Sequence, residues 1–159
     1  MVIGTSKFRA DPLSQATAFV HIGAMSNWSK STPPDLTVFE ALALAARDAL
    51  PAPYSEAAQA VALRVEDFAP NKMLAEMGME NPFELTGLYE GIPLTEKSVM
   101  DQPFGPDTIW LFRRPILEEW AERGNVTLGE LVAHVLVHEL AHHFGWSDAD
   151  IARIDRWWE

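Results

Sequence analysis

Two histidines and a glutamate near the end of the chain have the types and spacing for hydrolytic chemistry. His138 and His142 are four residues apart within HVLVHELAHHFGWSDAD, residues 134–150. On a helix that spacing is about one turn, so both imidazoles leave the same face. Glu139 follows the first histidine, where its carboxylate can reach a water on a metal held by the pair. This is the HExxH arrangement of zinc hydrolases. Zinc takes imidazole nitrogen well, and a catalytic site uses three protein ligands and leaves a position for water. The ion acidifies that water and polarises a substrate carbonyl. Glu139 is then placed to accept the water proton and deliver it to the leaving amine.

The third ligand is less directly marked. The chain contains no cysteine, which removes every thiolate site and every disulfide. Past His142 the only glutamate is Glu159, at the very end. Asp148 is the stronger candidate, in the pattern HExxHxxGxxD formed by His138, Glu139, His142, Gly145 and Asp148. Gly145 can take a positive φ and turn the chain off the helix, which would swing Asp148 back towards the imidazoles as a His-His-Asp set. Asp148 also reads as a first-turn carboxylate favouring the N-terminus of a following helix. Asp150 is the rival ligand, although a capping role accounts for it. His134, one turn before His138, lies near the same face, but a third imidazole on one helix suits tetrahedral geometry poorly. It can line the cleft. His143 points away from His142, towards a loop, a substrate or the packing. His21 has no evident role.

The elements around this stretch must hold it rigidly. Leu136, Val137, Leu140 and Phe144 offer an apolar face for burial against a sheet. Thr127 and Glu130 form a capping box that starts the helix, and Gly145 stops it. Ser147 and Asp150 cap a short helix after it. Upstream, Thr37 and Glu40 suggest another capping box for a first helix, with Leu36 and Ala41 as a staple and Pro51 and Pro53 as its stop. Val61, Leu63 and Val65 alternate with more polar neighbours, as in a half-buried strand. Pro70 opens a short helix over Asn71 to Met77, closed by Gly78. The Gly- and Pro-rich middle reads mostly as loop, with a short extended piece around Leu88 to Glu90. Thr108 to Phe112 is the strongest further strand, and Pro115 opens a helix that Gly124 ends. The expected class is α+β, a small mixed sheet with helices packed on it.

Composition narrows the rest. The 159 residues are 48% apolar, enough for one domain with a hydrophobic core. Residues 1–33, ending in SNWSKSTPP, read as a flexible N-terminal arm, with the domain over 34–159. The formal charge of -11, from 23 acidic residues against 12 Lys plus Arg, argues against nucleic acid and anionic membranes as partners. Residues 1–24 hold no continuous apolar stretch of the signal-peptide kind, and no segment approaches the ~20 apolar residues of a membrane span. The default expectation is a soluble, cytoplasmic protein.

HVLVHELAHHFGWSDADI resembles the small bacterial zincin-like metallopeptidase family, which has a minimal zincin fold. GLYEGIPLTEKS (87–98) and TIWLFRRPIL (108–117) are similar to further characteristic segments of that family. The resemblance implies a compact α+β domain with the active helix beneath a small sheet. It implies Zn2+ as cofactor, His138 and His142 as ligands, Glu139 as general base, and Asp148 at the third-ligand position. It also implies a peptide or protein substrate. A non-catalytic metal- or peptide-binding domain on the same scaffold is the alternative. By analogy with zincins, an edge strand can hold an extended peptide, and Thr108 to Phe112 is the candidate. Tyr89 and Glu90 are candidates to border the cleft, Tyr89 either as an oxyanion donor or as a structural tyrosine. Trp146 reads either as a wall of the pocket or as an anchor of the turn.

Overall fold

The structure is a computed structural model that describes residues 30–98 and 105–154. Its backbone divides into units Met1–Pro33 and Pro34–Glu159, and the second is described here. The expected arm over 1–33 lies almost wholly outside the described residues. The elements are α1 (Leu36–Asp48), α2 (Tyr54–Gln59), β1 (Ala62–Glu66), α3 (Asn71–Glu76), a 3-10 turn (Pro82–Glu84), β2 (Gly87–Glu90), β3 (Thr108–Phe112), α4 (Arg113–Arg123), α5 (Leu128–His143) and α6 (Asp148–Ile154). The class is α+β, as the pattern of periodicities predicts.

The sheet has three strands in the order β1-β3-β2. β1 runs parallel to β3, with Leu63 beside Ile109, and β2 runs antiparallel to it, with Tyr89 beside Ile109. Thr108–Phe112 is therefore the central strand, which corrects its assignment as a peptide-holding edge. The reason is legible in its composition. Ile109 and Leu111 enter the main core, while Trp110 and Phe112 pack into a second cluster with Ala69, Leu74 and Leu85. A strand apolar on both faces must be covered on both, and that is an interior position. Among the described residues the edge strands are β1 and β2.

The main core lies between the sheet and α1 and α5. Phe39, Ile109, Leu111, Ile116, Leu131, Val132 and Leu136 are almost completely buried there. Burying such side chains fully is worth about 1.5–3 kcal/mol each for the larger ones. α5 starts at the expected box: Thr127 Oγ1 accepts from the Glu130 N–H at 3.2 Å, and the Glu130 carboxylate accepts from the Thr127 N–H at 2.8 Å. Its apolar face is Leu136 and Leu140 as expected, but Val137 is exposed.

Two helix starts differ from the sequence reading. α1 is capped by Asp35, whose carboxylate accepts from the Val38 N–H at 3.0 Å, and not by Thr37. Pro34 precedes that aspartate, the helix starts two residues earlier than the Thr37 box implies, and Thr37 falls inside it. α4 begins at Arg113, directly after β3, with Pro115 in its first turn. Arg113 is drawn into this junction by Asp67, at 2.6 Å, and by the Pro34 carbonyl at 2.9 Å. α2 has no counterpart in the sequence reading, because its six residues between prolines are too few to show a period.

β2 approaches α5 very closely. A Cβ added at Gly87 would meet Val135 Cγ1 at 2.7 Å and Glu139 Cγ at 3.1 Å. Only glycine lets the strand lie on the helix here, against Val135 and Glu139.

Candidate metal centre

α5 spreads its residues over two chemically different faces. Val135, Leu136, Glu139, Leu140 and His143 are buried, whereas His138 and His142 are half-exposed on the adjoining face. The two imidazole rings stand with centroids 5.0 Å apart, as an i, i+4 pair must.

The helix ends as a Schellman turn. The Gly145 N–H donates to the His142 carbonyl at 2.9 Å, and the Trp146 N–H to the Ala141 carbonyl at 3.0 Å. Gly145 sits at φ +89°, in the left-handed region that an L side chain enters only with strain. The reversed chain brings Asp148 over the histidines. Its Oδ1 lies 3.2 Å from His142 Nε2 and 3.4 Å from His138 Nε2. One ligand atom from each of the three residues fits within 4.8 Å of the others.

The proton inventory of this cluster is informative. His142 Nδ1 lies 2.9 Å from the Trp146 carbonyl oxygen. A carbonyl only accepts, so Nδ1 carries the proton, and in the neutral ring Nε2 presents a lone pair. That lone pair faces a carboxylate oxygen, and His138 Nε2 converges on the same oxygen. Acceptors so placed repel unless a cation or a proton sits among them. A tetrahedral zinc with bonds of ~2.0–2.1 Å would separate its ligand atoms by ~3.3 Å. Both separations to Asp148 match that, so the donor set fits zinc. Trp146 contributes its carbonyl as anchor of the turn, while its indole is half-exposed.

Asp150, the rival ligand, is committed elsewhere. Its Oδ2 accepts from the Ser147 N–H at 3.1 Å and the Ser147 hydroxyl at 2.6 Å, and its own N–H donates to Ser147 Oγ at 3.3 Å. His134 is half-buried and stands outside the convergent set.

Glu139 is buried beside the histidines, 8% exposed. Burial pushes its carboxyl up to about 7, opposed by His142 and by the hydrogen bond it accepts from the Tyr89 N–H, and assisted by Asp148. A dication at the centre would favour the carboxylate and pull it down again. In the zinc-free protein the sign is clear. The native carboxyl holds its proton above the unfolded value, so between about pH 4.5 and 7 the native state binds more protons and loses stability as pH rises. Urea denaturation in chelator should show wild type losing about 3 kcal/mol relative to Glu139→Gln across that window. A pH-independent difference would refute it.

The other side chains near the cleft are sorted by the same geometry. The Tyr89 oxygen lies 3.1 Å from His143 Nδ1, and its hydroxyl also bonds Asp107. It is spent on internal bonds, so Tyr89 is the structural tyrosine. His143 is a buried packing residue, 2% exposed, with its basicity lowered chiefly by burial. Its spacing was informative: it falls one turn after Glu139 and two after Leu136 on the buried face. Asp107 and Lys97, which complete this network, carry no spacing signal. A cavity of about 700 Å³ is lined by Arg64, Lys97, Asp107 and His143 and by none of the three convergent side chains.

No helix among the described residues is long and apolar enough to cross a membrane. No curated protein sequence matches the chain closely. Family comparison does find a match, to the model described as zincin-like metallopeptidase, over residues 58–158. That span runs from the end of α2 through the sheet and the HExxH helix to the residues beyond Asp148. With most of its length and the whole of its intact HExxHxxGxxD motif inside that match, the chain belongs to the zincin-like metallopeptidase family.

Proposed function

We propose that this protein is a zinc-dependent peptidase in which His138, His142 and Asp148 hold the metal and Glu139 is the general base. The observation that carries the reading is the convergence of three groups able to ligate a metal, two imidazole nitrogens and a carboxylate oxygen, beside a buried carboxyl. When bound, zinc supplies Lewis-acid activation of water and of a peptide carbonyl. The chain's own groups do the remaining work. The Trp146 carbonyl and the Gly145 turn fix which nitrogen of His142 faces the centre. Glu139 takes the water proton and returns it to the departing amine, and its hydrogen bond to the Tyr89 N–H keeps the carboxyl aimed.

β2 is the open edge lying on α5, so an extended peptide adding to that strand would run along the centre. This replaces β3 in that role. Main-chain pairing of this kind recognises extended peptides irrespective of most side chains, which favours a peptide or protein substrate over a small amide.

Stripping the purified protein with a chelator should abolish cleavage of an unbiased peptide library, and one equivalent of zinc should restore it. Mass spectrometry of the products reads both arms. Stoichiometric zinc with no cleavage of any peptide would instead identify a metal- or peptide-binding domain without catalysis.

A further inference from the structure

Asp107 lies just before β3, with its side chain 12% exposed. Four groups from three parts of the fold converge on its carboxylate. Lys97 forms an ion pair with it. The Ile92 N–H donates to Oδ1 at 3.4 Å. His143 Nδ1 lies 3.4 Å from Oδ2, and the Tyr89 hydroxyl bonds it as well. A carboxylate can accept about four hydrogen bonds, and this one takes those of Lys97, Ile92 and Tyr89 with the His143 ring beside it.

The segment 91–97 that Asp107 gathers is laid across the end of α5. The Leu94 N–H donates to the His143 carbonyl at 2.8 Å. That carbonyl is one of the last of the helix, with no partner further along α5. A Cβ at Gly145 would meet Thr95 Oγ1 at 2.2 Å and Thr95 Cβ at 3.0 Å. The strap therefore closes on the very turn that carries Trp146 and Asp148. On the other side, Tyr89 is in β2, and its backbone N–H is what Glu139 accepts from.

We propose that Asp107 is a positioning residue for the metal centre, holding the strap 91–97 against the Gly145 turn and Tyr89 against α5. It touches neither metal ligand nor base. It acts on Asp148 through the strap and the helix end, and on Glu139 through Tyr89. The fold uses one carboxylate to set the spacing between the ligand turn and the base. The proposal rests on the metal-centre reading above, but its main readout, zinc affinity, does not require peptide cleavage.

The test compares wild type, Asp107→Asn and Lys97→Met. Asparagine keeps the size and an acceptor oxygen but not the charge. Lys97→Met removes the strap's ion pair from a side chain that is 40% exposed. Zinc dissociation constants are measured by competition with a chromophoric chelator, alongside circular dichroism and, with the peptide identified from the library, kcat and KM. Zinc should bind about tenfold more weakly to Asp107→Asn, the lower end for groups supporting metal ligands, and more weakly by a smaller factor to Lys97→Met. At saturating zinc kcat should fall with KM little changed, and Asp107→Glu should recover part of the zinc affinity. Wild-type zinc affinity and kcat in both Asp107→Asn and Lys97→Met, with only thermal stability lowered, would overturn the proposal and leave the peptidase reading intact. Weakened zinc binding in the variants of a wild type that binds zinc but cleaves nothing would support the proposal while ending the peptidase reading.

Discussion

Glu139→Gln is expected to lower kcat for peptide hydrolysis by about 10²–10⁴-fold, the share that a positioned general base supplies, while zinc stays bound. The substitution keeps the shape of a side chain wedged between β2 and α5. The amide oxygen can still accept from the Tyr89 N–H, so the local packing against Gly87 survives. What is lost is the ability to take a proton. Zinc content by metal analysis, circular dichroism and steady-state kinetics separate these effects. Equal kcat in wild type and variant would remove Glu139 from the role of base. A zinc-free variant would show that the carboxylate holds the metal site together, a different role from the one assigned.

The second large effect concerns Asp148, and here the exposure of the side chain makes the experiment clean. Its side chain is 84% exposed, so Asp148→Ala removes little from the packing of the fold. The cost to α6 from losing a first-turn carboxylate is about 0.3–1 kcal/mol at most. Zinc binding should suffer far more, by at least the ~100-fold at the upper end for outer partners of metal ligands. At a zinc concentration one hundred times the wild-type dissociation constant, wild type gains about 2.7 kcal/mol of stability, and the variant gains no more than about 0.4. Thermal melts with and without zinc read this difference directly. A zinc-induced shift of equal size in both proteins would mean that Asp148 is not a ligand, and the His-His-Asp set would have to be abandoned.

Both expectations depend on a turn that local chemistry made visible. HExxH announces itself because i, i+4 spacing on a helix is a geometric certainty once the helix is granted. Gly145 announces the turn, since glycine alone enters its left-handed region without strain. The capping pair Ser147 and Asp150 could be read in the same way, and the bonds between them remove Asp150 from the ligand set. All of these are relations among residues fewer than about ten positions apart, where backbone geometry leaves few choices.

Local patterns mislead where their surroundings compete with them. Thr37-x-x-Glu40 is a valid box by spacing, but Asp35 after Pro34 caps α1 two residues earlier. TIWLF is a peptide-holding edge only by analogy, and its own residues, apolar at every position from Ile109 to Phe112, argue for burial on both faces. Val137 belongs by type to the apolar stripe of α5, yet the buried arc runs through Val135, Leu136, Glu139, Leu140 and His143 and leaves it exposed. Periodicity marks an apolar stripe but not its width.

The sequence by itself determined the metal-binding chemistry and the class of fold. It narrowed the candidate ligands to His138, His142 and an aspartate of the following turn, excluded every thiolate, and indicated that helices would pack on a small sheet. Tertiary structure decided everything that joins distant segments. It placed β3 between β1 and β2, laid Gly87 against Val135 and Glu139, buried His143, and brought Asp107, Lys97 and Tyr89 together around it. The physical reason is range. Side chains within a turn of one another are positioned by backbone dihedrals that the residue types declare. A contact between Asp107 and His143 depends on how the whole chain closes, and no spacing in the sequence encodes it.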